Sequence, residues 1–155
     1  MSTLPTVLVV GSGFAAFHFC RHLERRLPTS EARIVVASPV DYLLYTSLLP
    51  QVAAGVLEPR HVAVGLRTLK RTELELGHVV SVDLAGQTVA VRRRSGETST
   101  LAWDRLVLGP GAVTRTFDIP GVNEHAHGLK SLAEAVALRD HVLRQLEIAD
   151  TASSA

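Results

Sequence analysis

The stretch Thr6 to Ala16 (TVLVVGSGFAA) constrains the fold more than any other part of the chain. Four apolar residues, Val7, Leu8, Val9 and Val10, stop at Gly11-Ser12-Gly13 and lead into Phe14-Ala15-Ala16. An apolar run this short, closed by glycine, fits a parallel strand covered on both faces. Gly11 permits a tight turn, Gly13 lets the backbone come close to a pyrophosphate, and Ala16 is small enough for a helix to pack on the strand. The helix start offers N–H groups and a partial positive charge to phosphate. The pattern is that of a dinucleotide cradle, with a glycine turn in an ordinary α/β core as the other reading.

The adjoining helix and strand extend the pattern. Phe14 to Leu27 carries apolar or small residues at 16, 20, 23 and 27, with Arg21, Arg25 and Arg26 on the other side, an amphipathic helix. Pro28 ends it, and Arg33 to Ala37 reads as a second apolar strand, completing a βαβ unit. At the end of that strand such units usually carry an Asp or Glu for the adenosine ribose hydroxyls. Here Ser38 stands there, followed by Pro39, and Asp41 comes only beyond the proline. One neutral hydroxyl binds ribose more weakly than a carboxylate with two acceptor oxygens.

Residues 39 to 70 read as an irregular apolar segment with short helices. Ser47 is the expected cap of the first, Gly55 its end, and His61 to Leu69 the second. From Glu73 the period becomes two: Glu73 to Leu76 alternates, and His78–Leu84, Thr88–Arg93 and Ser99–Trp103 are three β segments of a predicted antiparallel meander placed at about 73 to 103. Arg105 to Leu108 is another apolar strand running into Gly109-Pro110-Gly111-Ala112. A helix is expected from Ser131 to Ile148, with Ala135, Leu138, Val142 and Leu146 on one stripe, and a fraying tail from Ala149 to Ala155.

Composition narrows the function. At 155 residues the chain has room for one domain and not for two full nucleotide-binding domains. Sixteen basic against fifteen acidic residues give no nucleic-acid footprint, and Arg92-Arg93-Arg94 precedes a Ser95-Gly96 turn as a solvated hairpin tip. Cys20, the only cysteine, rules out a disulfide framework and fits a reducing, cytoplasmic compartment. It reads as a buried structural thiol. No signal-peptide core follows Met1, and the two stretches without charged side chains are broken, Met1 to Cys20 by Pro5 and Gly11-Ser12-Gly13 and Tyr42 to Leu57 by Pro50, Gln51 and Gly55, so no transmembrane segment is expected. His18 and His22, spaced i and i+4, have no third ligand in view, and neither do His125 and His127, so no metal site is assigned. Trp103 is expected in the meander core. A mean hydropathy of +0.21 is high for a small soluble domain and points to surface that meets a partner.

The order of elements resembles the first half of the two-dinucleotide-binding-domain flavoprotein reductases, and most closely the type II NADH dehydrogenase (NADH:quinone oxidoreductase) family. The matching pieces are GSGFAAFHFCRHL at 11 to 23, DYLLYTSLLPQVAAGVLEPRHV at 41 to 62, VVSVDLAGQTV at 79 to 89 and DRLVLGPGAVTRTFDIPGVNEHAHGLKSLAEAVALRDHV at 104 to 142. The resemblance implies a Rossmann-like FAD-binding βαβ with an inserted three-stranded meander, incomplete relative to the family, in one partial domain. It implies that Gly11, Ser12, Gly13, Phe14, Ala15 and Ala16 hold the FAD pyrophosphate and that Ser38 and Pro39 stand at the ribose. The backbone at Val80 would lie near adenine, Thr46 near the flavin, and Gly109, Gly111 and Ala112 would form the distal turn. Pro110 replaces that turn's usual threonine, removing a hydroxyl and an N–H.

By the same resemblance the activity is hydride transfer from NADH to FAD and on to a quinone, with no catalytic acid, base or nucleophile required of the protein. A full-length relative would sit peripherally at the inner face of the cell membrane. NADH, or NADPH, would bind a second strand-glycine-helix unit, and the only other G-x-G here is Gly109-Pro110-Gly111. The second expectation is therefore a non-catalytic or split FAD-binding module, or a truncated fragment, completed by another chain or a homo-oligomer. Sulfide:quinone and ferredoxin reductases share the first fingerprint, but a lone Cys20 lacks the cysteine pair of a sulfide oxidase.

Overall fold

The computed structural model describes residues 4–152. In chain order the elements are β1 (Thr6–Val10), α1 (Phe14–Arg26), β2 (Arg33–Ser38), β3 (Tyr42–Leu44), α2 (Leu49–Ala53), β4 (Ala63–Gly65), β5 (Thr72–Leu76), β6 (His78–Asp83), β7 (Thr88–Arg92), β8 (Thr98–Ala102), β9 (Arg105–Leu108), α3 (Val122–His125) and α4 (Leu132–Ala152). They divide between two compact units, residues 4–43 with 64–111 and residues 44–63 with 112–152.

The first unit is the α/β part. Its main sheet has the order β5-β2-β1-β9 with all neighbours parallel. Buried apolar runs such as Val-Leu-Val-Val suit central parallel strands because both faces are covered. On one face Leu8, Val35 and Ala37 pack with Val89 and Val91 of the meander, and Val79, Leu101, Trp103 and Leu106 close the cluster's edge. On the other face Val9, Ile34 and Val36 are buried, and α1 buries Ala16, Phe17 and Cys20. Each fully buried Leu, Ile or Val contributes roughly 1.5–3 kcal/mol relative to exposure.

The meander is β6-β7-β8, antiparallel. The alternating segment before it is not part of it: Thr72–Leu76 pairs in parallel with β2 as the edge strand of the main sheet. A half-covered edge strand shows the same period-two pattern as a meander strand. Glu24 of α1 fixes where this edge strand begins. Its carboxylate accepts the N–H groups of Lys70, Arg71 and Thr72 at 3.1, 2.8 and 2.8 Å and the Thr72 hydroxyl at 2.8 Å. In return Arg71 donates to the carbonyls of Glu24 and Leu27, capping the helix C-terminus.

The second unit buries Leu49, Val52, Val62 and Ala135. Gly55, at φ +72°, ends α2 as expected: its N–H donates to Val52 O at 3.0 Å and that of Val56 to Gln51 O at 2.8 Å, a Schellman pattern. Ser47 caps nothing; it lies in a 3₁₀ turn, Thr46–Leu48, that leads into α2. The helix expected over 61–69 does not form. Pro59–Val62 and Leu66–Thr68 are separate 3₁₀ turns flanking β4. Long-range backbone bonds, Tyr45 N–H to Val62 O and Leu66 N–H to Asp41 O, take the groups that a helix would need. The SLAE sequence at 131–134 is a capping box, with Glu134 N–H to Ser131 Oγ at 3.2 Å and Ser131 N–H to Glu134 Oε2 at 2.7 Å. α4 then stays helical through Ala152, past the expected fraying point, and residues 153–155 lie outside the described ones. Only the first turns of its stripe are covered: Ala135 is buried, whereas Val142 and Leu146 are exposed.

Candidate nucleotide cradle

The site is built by the C-terminal ends of β1, β2 and β9 in the first unit, where ligands of open α/β sheets bind. Gly11 makes it possible. Its φ of +105° turns the chain sharply after β1, and its N–H donates to Ala37 O at 2.8 Å, tying the turn to β2. A Cβ on Gly11 would stand 2.1 Å from the Gly109 carbonyl oxygen, so no side chain fits between the two glycine turns. Gly109 N–H donates to Val10 O at 2.8 Å, and the Gly109 backbone passes close to the small side chain of Ala16.

Gly13 has a different role. It is extended (φ −69°, ψ −176°) and N-caps α1, yet no side chain caps the helix and its first turn holds no acidic residue. A Cβ placed on Gly13 would meet nothing within 4 Å. The open space in front of an uncapped helix start is the room a pyrophosphate needs. Ser12 is half-buried in the turn, Phe14 and Ala15 are exposed on the first helical turn, and Phe14 stacks on His18 at 6.5 Å between centroids.

Beside the turn lies a cavity of about 420 Å³ lined by Val10, Gly11, Ala37, Pro39, His78, Val79, Val82, Leu108 and Pro110. Its wall is apolar except for His78, which suits the flat face of a nucleobase. Val80 is the unpaired residue of a β-bulge, because the register passes from Val79↔Val91 to Ser81↔Ala90. A bulged residue leaves the ladder, so its backbone groups are free to meet a ligand. Sequence reasoning passed over His78, Val79, Val82 and Leu108, because strict alternation would send the neighbours His78 and Val79 to opposite faces, and the register shift between Val79 and Ser81 has no local signal.

Ser38 differs from its expected role. It is wholly buried, does not line the cavity, and its Oγ accepts the Val40 N–H at 3.3 Å, so its hydroxyl holds the turn through Pro39. Pro39 itself lines the cavity. Gly111, at φ +78°, is exposed at the end of this unit. Thr46 and Ala112 are exposed residues of the second unit.

A larger cavity, about 600 Å³, opens at the opposite ends of β1 and β2, beside the start of β5. Its charges are already used: Arg33 pairs with Glu73 through Nε–Oε1 at 2.8 Å and Nη2–Oε2 at 2.6 Å, and Arg71 caps α1. Cys20 is buried, and burial, with the nearby Glu24 charge, pushes its thiol up to about 11. That places it among inert structural cysteines. Among the described residues no group of three or more His, Cys, Asp and Glu is placed to hold a metal ion. No described helix is long and apolar enough to cross a membrane.

One family model matches residues 5–149 of the chain, which take in the strand, the glycine turn and the helix. The chain belongs to the pyridine nucleotide-disulphide oxidoreductase family. Among curated relatives it is 31% identical over 151 residues to an external alternative NAD(P)H-ubiquinone oxidoreductase of Arabidopsis thaliana mitochondria, covering 91% of this chain and 25% of that protein. To the type II NADH:quinone oxidoreductase of Mycobacterium tuberculosis it is 32% identical over 151 residues, covering 95% of this chain and 32% of that one. The chain thus spans a quarter to a third of the length of these relatives. In fold it matches the Plasmodium falciparum NDH2 solved with NADH (TM-score 0.85, 23% identity), covering 96% of this chain and 30% of that one. It also matches the Aquifex aeolicus sulfide:quinone oxidoreductase (TM-score 0.79, 20% identity), covering 92% and 32%.

Proposed function

We propose that this family member is the FAD-binding part of an oxidoreductase that passes hydride from NADH to FAD and on to a quinone. The observation that carries the reading is the pair of glycines: Gly11 locked under the Gly109 carbonyl, and Gly13 open in front of an uncapped helix start. The same backbone could serve another dinucleotide, and similarity to NADH:quinone oxidoreductases supports FAD with a quinone acceptor. Gly11, Ser12, Gly13, Phe14, Ala15 and Ala16 would hold the pyrophosphate through backbone N–H groups and the helix dipole. The bulged backbone at Val80 would meet the adenine edge, and Pro39 would face the ribose, with Ser38 holding the turn behind it. Thr46, Gly109, Gly111 and Ala112 are the remaining candidates for the flavin half. FAD, when bound, supplies the two-electron chemistry. The chain's own part is to orient the nucleotide and exclude water from the base with Val10, Ala37, Val79 and Val82.

The second strand-glycine-helix unit that would bind NADH or NADPH has no counterpart in the sequence, since Pro110 removes an amide from the other G-x-G. This favours, as the second reading, a flavin module whose nicotinamide site lies on another polypeptide or another segment, the assembly being peripheral to a membrane. Both readings are tested by loading the purified chain with FAD, desalting it and recording the visible spectrum before and after NADH. Retained flavin absorbance that NADH bleaches supports the full activity. Retained absorbance that bleaches only when a second polypeptide is added supports the split module. A colourless chain overturns both.

A further inference from the structure

The ribose end of the cavity lacks the charge that usually filters ligands there. Gly77 N–H donates to Ser38 O at 2.9 Å, which sets the neighbouring His78 beside the end of β2, where Pro39 and His78 both line the cavity. In Rossmann-type sites a carboxylate at this place binds the ribose 2′-OH and repels a phosphate on it. No carboxylate lines this cavity. Ser38 is neutral, enclosed and engaged by Val40.

The acidic side chains nearest in sequence are turned to other work. Asp83 Oδ1 accepts the N–H groups of Ala85 and Gly86 at 3.0 and 2.9 Å. Glu75 Oε1 accepts from Arg93 at 2.8 Å and from Ser99 at 3.0 Å. Asp41 is exposed and is not among the lining residues. The one polar side chain on the wall, His78, is an imidazole and supplies no carboxylate.

We infer that this site does not discriminate against phosphate on the adenosine ribose and takes ADP-containing nucleotides with or without a 2′-phosphate, which rests on the cavity being the seat of an ADP moiety. A like-charged pair at contact distance weakens binding on the order of tenfold even when solvated. Without it the two ligand forms differ by about threefold at most at moderate salt.

The experiment is calorimetric titration of the chain with ADP-ribose and with ADP-ribose 2′-phosphate, alongside His78→Glu and Pro39→Asp. Each variant puts a carboxylate on the cavity wall, and two positions keep the test intact if one variant misfolds. Expected are wild-type Kd values within about threefold of each other, and in each variant a preference of about tenfold for the unphosphorylated ligand, read as the ratio of the two Kd values in that same protein. A wild-type preference of about tenfold or more for the unphosphorylated ligand overturns the inference and leaves the nucleotide reading standing. Equal affinities that both carboxylate variants leave equal also overturn it, because the ribose would then not face this wall. Binding of neither ligand, nor of FAD, overturns the nucleotide reading with it.

Discussion

Replacing Gly11 with alanine separates what the fold needs from what a ligand needs. At φ +105° the new side chain is strained wherever space exists, and space does not exist: its Cβ would lie 2.1 Å from Gly109 O, 2.8 Å from Gly109 C and 3.3 Å from Pro110 Cα. All three are backbone atoms, so no side chain can swing aside, and the end of β9 must move. Strained backbone costs about 1–3 kcal/mol and overpacking another ~1–3 kcal/mol, so the expected loss is roughly 2–6 kcal/mol. That is a large share of a typical domain stability of about 5–15 kcal/mol. Trp103, the only tryptophan, packs on the Leu8–Val35 core and gives the fluorescence signal for a urea titration of this unit. Gly13→Ala is the matched control. Its φ is ordinary and its Cβ meets open space, so stability should stay within about 0.5 kcal/mol of the parent. Its FAD affinity should nevertheless fall on the order of tenfold, because the methyl occupies the pyrophosphate approach. A Gly11→Ala protein as stable as the parent would refute the packing argument, and a Gly13→Ala protein with parental affinity would refute the cradle.

Other perturbations act through single contacts. Glu24→Ala strands the amides of Lys70, Arg71 and Thr72 at the start of β5, and should cost about 1–3 kcal/mol in a urea titration. Burial raises the Glu24 pKa, but the Arg71, Thr72 and Lys70 hydrogen bonds outweigh it and hold the carboxyl below its ordinary value. A lowered folded-state pKa means that its stabilisation is complete above the unfolded value and lost as pH falls through the folded one. A stability profile should therefore decline below about pH 4.5, and the Glu24→Ala profile should decline less. Cys20, buried and raised to about 11, should resist iodoacetamide at pH 8 in the folded chain and react at once in denaturant. Gly55→Ala should cost about 1 kcal/mol by forcing alanine to φ +72°, and Gly55→Asn less, read as thermal midpoints.

The sequence alone determined the elements whose cause is local. Val7–Val10, the glycines and the α1 stripe specify strand, turn and helix within a few residues of one another, and Ser131 with Glu134 writes its own helix start. The meander strands were equally legible, because alternation needs only its own strand. The tertiary structure decided what depends on distant partners. Thr72–Leu76 joins β2 rather than the meander because Glu24, nearly fifty residues earlier, takes its first amides. Residues 61–69 forgo a helix because their backbone groups pair with residues about twenty positions away.

The cradle shows both kinds of cause. Two glycines in a short run marked it in the sequence, but their difference was not readable there. Only the arrival of Gly109 beside Gly11, across almost the whole first unit, makes one glycine a packing requirement and leaves the other open. The burial of Ser38 and the register shift that leaves Val80 unpaired likewise show only in the folded chain, where β2 is covered and β6 pairs with β7, and no local pattern encodes them. Local propensity fixes what a segment can become, whereas parallel pairing joins strands whose sequence separation carries no local signal.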